Sequence, residues 1–509
     1  MDSLLERYTP GEELKKALEQ QNLKGLLVGK MGAFPVRYLF INRYINYIGF
    51  VMTNPDYSPE NESRLSGYNL KEPMKVFVES LKMKSEKPVD ILFISRNRTV
   101  SMKTHAGYIT GDYIFYSIID KIQKNFPEFK IKMYISDDAY NKYKYLNPLD
   151  ILRSAYNTIK ILIIWSIYKR SIIKDLSAFN SHHIIDGATN FFKFRPLMRD
   201  ALMGYSVKNM FAILKPKLVI SNDDCLYIKP MNASFLKFIV LQSARLIEDL
   251  EEIRSLIFQE PDLLPDYYLS SGKSFGKIKS RWNVAKEVIV TGLPRYDVLY
   301  YSNLIYSKHD FLKRYNINPD HKIVLWTTQC HAFSDDENAS NFCVVFSAIK
   351  DLKGTTLIIK QHPAESEAYT IAIKNYISKY TIDAVVAPKD TDTYEMISVC
   401  DLLITRDSTT AIEAIALDKP VIILNMSGEP DKVEYVDEGV ALGVYNGDNL
   451  KNAIDKLLLN DAELAVNRKM YVENYLHKVD GKATERVMDL ILANLLHKNE
   501  LKIEDLKQN

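Results

Sequence analysis

The chain is short of the features that mark several protein classes. It has 4 cysteines in 509 residues, at Cys225, Cys330, Cys343 and Cys400. None stands in a CxxC or zinc-type spacing, which leaves no disulfide framework or cysteine-held metal to expect, and free thiols suit a reducing cytoplasm. No run of about 20 apolar residues occurs, so no membrane-spanning helix is expected. The opening Met1-Asp-Ser-Leu-Leu-Glu-Arg7 lacks the pattern of a signal peptide. Net charge is only +2, without the basic excess of a nucleic-acid binder, so no nucleic-acid partner is expected. There is no P-loop Gly-Lys-Ser/Thr, no GxGxxG, no internal repeat and no Ser-His-Asp triad assignable by spacing.

What is present is an α/β alternation too long for one core, so two domains of similar size are expected. The most informative stretch runs from Thr355 to Asn425. Its strands read Thr356-Leu-Ile-Ile-Lys360, Ala384-Val-Val-Ala387, Asp401-Leu-Leu-Ile-Thr405 and Val421-Ile-Ile-Leu424, separated by helical segments. Short apolar runs alternating with amphipathic helices indicate a parallel sheet covered on both faces. Ligands of such sheets bind at the carboxyl ends of the strands. His362-Pro363 and Ser408-Thr409-Thr410 fall there, and Glu413 follows on the helix that starts at Ala411. The helix start and the hydroxyls suit a phosphate, His362 can donate to a phosphate oxygen, and an ionised Glu413 can accept from both hydroxyls of a ribose. Each residue alone has a plainer reading: a helix cap for Ser408 or Thr409, a turn for His-Pro, a solvated side chain for Glu413. Together, on successive loops of one sheet, they point to a ligand site. The preceding strand, Lys322 to Gln329, brings Thr327 and Thr328 to the same edge. Asp335-Asp336-Glu337 reads as a solvated loop, and no metal site is expected.

In the first half, Val89 to Ser95 is the clearest strand. The loop behind it carries Arg96 and Arg98, candidates for an anionic acceptor or simply an exposed basic loop, with His105 and Asp112 as further acid–base candidates. The strand Lys217–Ser221 runs into Asn222-Asp223-Asp224. A carboxylate there can act as general base toward an acceptor hydroxyl; turn chemistry is the plainer alternative. One or two strands are expected within Tyr38–Met52. The segment Ile161–Lys174, apolar with Lys169, Arg170 and Lys174, reads either as a buried core helix with snorkelling lysines or as a helix lying on an anionic membrane.

The motifs Lys360-Gln-His-Pro-Ala-Glu365, Asp401-Leu-Leu-Ile-Thr-Arg-Asp-Ser-Thr-Thr-Ala-Ile-Glu-Ala414 and Lys419-Pro420 resemble the nucleotide-binding half of GT-B enzymes that make surface polysaccharides. Kdo-type and sialic-acid-type capsule transferases, CDP-glycerol glycerophosphotransferases and, more distantly, UDP-N-acetylglucosamine 2-epimerases form this group. Val290-Thr-Gly-Leu-Pro-Arg-Tyr-Asp297 and Asp480-Gly-Lys-Ala-Thr484 match further motifs of the group, so the likeness covers about half the chain, from Asp266 on. It implies two Rossmann-like domains facing a central cleft. The expected division is residues 1–305 for the acceptor domain with a helical insertion, 306–475 for the donor domain, and 476–509 for a terminal helix and tail. It also implies a nucleotide-activated sugar or polyol donor, with a cytidine nucleotide preferred, held by Thr327, Thr328, His362, Pro363, Ser408, Thr409, Thr410 and Glu413. No cofactor or divalent metal is expected. The acceptor would be a cell-surface glycan or a lipid-linked one, Asp223 or Asp224 the base, and the location cytoplasmic or peripheral at the inner membrane face through Ile161–Lys174. One departure stands out: where many of these enzymes have Gln-His-Gly, this chain has Gln242-Ser243-Ala244. An epimerase-like activity and a noncatalytic membrane-associated assembly factor are the alternatives.

Overall fold

The computed structural model describes residues 27, 29–41, 70–81, 86–96, 99–105, 107–177, 189, 191–222, 237–243, 264–281 and 283–495. Two six-stranded sheets organise them. The first contains β1 (Ile91–Ser95), β2 (Ile131–Ile135), β3 (Leu218–Asn222), β4 (Lys237–Leu241), β5 (Tyr267–Ser270) and β6 (Glu287–Val290), in the order β6-β5-β4-β3-β1-β2. The second contains β7 (Lys322–Thr327), β8 (Thr355–Lys360), β9 (Ala384–Ala387), β10 (Leu402–Thr405), β11 (Val421–Leu424) and β12 (Leu442–Val444), in the order β9-β8-β7-β10-β11-β12. Every pairing in both sheets is parallel.

The central strands are runs of Val, Ile and Leu because both their faces are covered. Residues Leu357, Ile358 and Ile359 of β8 are all fully buried, with Ile358 in one hydrophobic cluster and its two neighbours in another. Strand order reverses between β7 and β10 in the second sheet and between β1 and β3 in the first. At such a point the connections leave in opposite directions and open a crevice at the carboxyl ends.

One expectation changes. The segment behind β1 is an antiparallel hairpin, Thr99–Thr104 with Gly107–Asp112, rather than an open loop. Residues 36–41 are helical; the rest of Tyr38–Met52, within which one or two strands were expected, lies outside the described residues.

The Gly292–Asp297 and Asp480–Thr484 motifs meet each other. Asp297 accepts hydrogen bonds from the Ala483 and Thr484 N–H groups, both 2.8 Å, and so caps the helix Ala483–Leu495 from outside the helix. That helix then lays Val487, Met488, Leu490 and Ile491 against the first sheet. Gly292 and Gly481 both take positive φ, +75° and +72°. Gly481 must stay bare, because a Cβ there would lie 2.7 Å from the Tyr301 ring. Burial raises the Asp297 pKa against the opposing hydrogen bonds of Thr484 and Ala483. Asp297→Ala strands two helix N–H groups, and a loss of about 1–2 kcal/mol is expected in denaturant unfolding.

Candidate active site

The crevice between β7 and β10 is lined by hydroxyls that fix one another. Thr327, the last residue of β7, donates to Thr405 Oγ1 at 2.9 Å and lies 2.9 Å from Thr410 Oγ1. Gln329 ties the same loops together, its Oε1 accepting from the Asp407 N–H at 3.1 Å. Ser408 Oγ accepts from the Thr410 N–H at 3.2 Å, which leaves its own proton to donate. Thr409 occupies the N-cap of the helix Thr410–Ala416 but makes no side-chain cap bond. The helix thus starts one residue earlier than expected. Ser408 and Thr409 are half-buried at its mouth.

The β8 side is held by a buried carboxylate. Glu365 accepts from the Thr328 hydroxyl at 2.9 Å, from the Cys330 N–H at 2.8 Å and from Gln361 Nε2 at 3.1 Å. The Thr328 proton is therefore committed to Glu365, and this residue supports the loop instead of offering its hydroxyl to a ligand. Its neighbour Cys330 is pushed up to about 12 by burial and by Glu365, so it stays a thiol. Pro363 and His362 are exposed at the turn. His362 Nδ1 accepts from the Ala364 N–H at 3.1 Å, so the proton of the neutral ring sits on Nε2. The ring stacks on His331, with centroids 4.2 Å apart and planes 24° apart. The pairing had no signal beyond the position of His331 just past the end of β7.

Glu413 lies deepest. It is 3% exposed, and the nearest cation is Arg295, whose Nη1 is 3.9 Å away. Arg295 is itself buried, donates to the Tyr113 hydroxyl and, at 2.7 Å, to the Tyr296 hydroxyl, and lies over both rings. Burial pushes the Glu413 pKa up to about 7; Arg295 opposes this but does not outweigh it, and Asp392 adds to the rise. Arg295 stands in the Gly-Leu-Pro-Arg-Tyr-Asp motif, but nothing in the sequence placed it against Glu413, 118 positions away.

The first-half candidates fare differently. Asp223, Asp224 and Arg98 lie outside the described residues. β3 ends at Asn222, at the switch point of the first sheet. Arg96 donates to Asp137 at 3.0 Å on the surface. Asp112 accepts from the Ile114 and Phe115 N–H groups at 2.9 and 3.1 Å and from the Ser95 hydroxyl, and so fixes the turn that leads into the helix Tyr116–Asn125. His105 lies against the Tyr301 ring, centroids 4.4 Å apart and planes tilted by 35°. Gln242, in the Gln-Ser-Ala segment, accepts from the Ser271 N–H at 2.9 Å and serves the β4–β5 edge. Asp335, Asp336 and Glu337 form the first turn of the helix Asp335–Lys350 rather than a loop, and Glu337 pairs with Arg406. Among the described residues no group of three or more His, Cys, Asp or Glu is arranged to hold a metal ion.

Two doubly wound parallel sheets, with a hydroxyl-lined crevice at the switch point of the second, define a GT-B nucleotide-dependent transferase. The family of CDP-glycerol:poly(glycerophosphate) glycerophosphotransferases matches residues 196–493, and the chain belongs to it. The fold is similar to that of a variant of the wall teichoic acid polymerase TagF, at 15% identity and a TM-score of 0.50, covering 87% of this chain and 97% of that one. A UDP-N-acetylglucosamine 2-epimerase superposes at 13% identity and a TM-score of 0.48, over 82% and 99% of the two chains. No curated protein matches by sequence.

Proposed function

We propose that the enzyme transfers a sugar or a polyol phosphate from a cytidine-nucleotide donor to a cell-surface glycan or lipid-linked acceptor, working peripherally at the inner face of the membrane. The observation that carries this reading is the Thr327–Thr405–Thr410 hydroxyl cluster at the β7/β10 switch point, with His362 on the adjoining β8 loop. Strands β8 and β10 flank β7, so their loops stand about 10 Å apart, twice the inter-strand spacing. That distance suits a diphosphate with its ribose. His362 Nε2–H and the Ser408 and Thr409 hydroxyls would donate to the phosphates and stabilise the charge that grows as the nucleotide leaves. Glu413 would take the ribose diol once Arg295 moves off it. The base is proposed to be Asp223 or Asp224, directly after β3; with Ser243 in place of the histidine of related enzymes, a carboxylate takes that role. The residues 1–305 and 306–475 would form the acceptor and donor domains. Family membership favours CDP-glycerol as the donor to try first.

The test is turnover of CDP-glycerol and of UDP-N-acetylglucosamine, each with and without a glycerophosphate-primed lipid acceptor. Acceptor-dependent release of CMP supports the transferase. Acceptor-independent conversion of the UDP-sugar would replace it with the epimerase reading. His362→Ala is expected to lower turnover about 10²- to 10³-fold, as loss of a donor to developing charge does; an effect under threefold would remove His362 from the site.

A further inference from the structure

We propose that His331 is a second phosphate-binding side chain, which works with His362 as one pair on the diphosphate of the donor. This role rests on the donor-site reading above and deepens it. Thr327 and Lys360, the last residues of β7 and β8, pair in register, so the two loops leave the sheet side by side, about 4.8 Å apart. One carries His331 and the other His362, and the rings meet with centroids 4.2 Å apart. In the sheet, β7 lies between β8 and β10. The loop of His331 therefore stands between the loop of His362 and that of Ser408, and Gln329 ties it to the latter through the Asp407 N–H.

The backbone under His331 is fixed from three sides by buried polar groups. Glu365 accepts from the Cys330 N–H at 2.8 Å. Asn338 Nδ2 donates to the Cys330 and Phe333 carbonyls at 2.9 and 3.3 Å. The Arg406 guanidinium lies 4.5 Å from the centre of the Phe333 ring. Glu365 steadies His362 as well, because its own N–H donates to the His362 carbonyl at 3.0 Å. Glu365, Asn338 and Arg406 are all buried. His331 itself is exposed, and its ring makes no hydrogen bond among the described residues. A rigid shell beneath an exposed ring is what a ligand-contacting side chain requires. Two rings stacking to shed water would account for the contact between them but not for that shell. A neutral imidazole offers one N–H and a charged one two, and a pair side by side can reach adjacent oxygens of a diphosphate where one ring cannot. Among the described residues no third His, Cys, Asp or Glu joins them in a metal-binding group, so the pair suits an anion.

The experiment is calorimetry on the full chain with CDP, cytidine and inorganic diphosphate, for the wild type, His331→Ala and His331→Phe. The phenyl ring keeps the stack on His362 and lacks the N–H donors. Both variants are expected to bind CDP about 10- to 150-fold more weakly, the range of a hydrogen bond to a charged group. Inorganic diphosphate is expected to weaken with CDP, whereas cytidine, which has no phosphate, is expected to bind all forms alike. Unchanged thermal midpoints would show that the variants are folded. Normal binding of CDP by His331→Phe would overturn the proposal, because the stack alone would then suffice. Equal losses for CDP and cytidine would also overturn it, because they mark a disturbed loop. A wild type that binds inorganic diphosphate through His331, but CDP no better, would uphold the pair and fail the cytidine-nucleotide reading. CDP binding that is tight in every form would do the reverse.

Discussion

Glu413→Gln is expected to make the protein more stable at pH 8 while removing most of its affinity for the donor nucleotide. The Glu413 pKa in the fold is about 7, against an ordinary value of 4.5, because burial outweighs the Arg295 guanidinium 3.9 Å away. A carboxyl with a raised pKa binds its proton more tightly in the folded than in the unfolded state. Its favourable contribution is therefore complete below pH 4.5 and is lost as pH rises through about 7. Holding the ionised form costs on the order of 3 kcal/mol at pH 8, from about 1.4 kcal/mol per pH unit. Glutamine resembles the neutral acid, so the gain should approach that figure at pH 8 and vanish near pH 4.5, as read from urea midpoints across the range. The ribose diol, in turn, needs an ionised acceptor. Charged hydrogen bonds contribute about 1.5–3 kcal/mol, so affinity for the nucleotide is expected to fall about 10- to 150-fold. Wild-type affinity should also rise between pH 6 and 8, and the variant's profile should lack that rise. A Glu413→Gln variant that is no more stable at pH 8, or that binds nucleotide normally, would contradict this placement.

Arg295→Met is expected to produce the largest loss of stability. It removes a buried guanidinium that stacks between the Tyr113 and Tyr296 rings and donates to both hydroxyls. It also leaves Glu413 in a site with no cation. Breaking one side of a buried pair costs about 3–5 kcal/mol. The full cost should appear only at pH 8, because at pH 5 Glu413 escapes by taking a proton. Combined with Glu413→Gln, the loss at pH 8 should shrink by about 1–3 kcal/mol, the coupling expected of side chains in contact. Equal losses at pH 5 and pH 8 would show that Arg295 acts through packing alone.

The fold was legible wherever both faces of a strand are buried. Leu357–Ile359 and Leu402–Ile404 are unbroken apolar runs, each followed by a polar residue, and the position of the site follows from where those runs stop. The hairpin Thr99–Asp112 was not legible. Its strands are largely exposed or half-buried, with Thr and Gly frequent, and have no sustained apolar alternation to betray them. β12 escaped notice because it is only three residues long. His362, Ser408 and Thr409 stand where a ligand site was expected. Thr328 does not serve as expected, because spacing cannot show that its hydroxyl proton goes to Glu365. Arg295 was missed for the same reason: its partners Tyr113, Tyr394 and Glu413 come from three distant segments, and only the assembled fold makes one buried cluster of them.

The central claim is that a cytidine nucleotide binds at the β7/β10 switch point. Thermal unfolding or calorimetry with CMP, CDP, UMP, UDP and GDP tests it most directly, on wild type and on His362→Ala with Ser408→Ala. A ligand that binds only the folded form raises its stability by about 2.7 kcal/mol at 100 times its dissociation constant. The account predicts that CMP or CDP stabilises the wild type selectively and that the double variant, still folded, loses the response. A preference for UDP would contradict the assigned base, and no response to any of the five nucleotides would contradict the site.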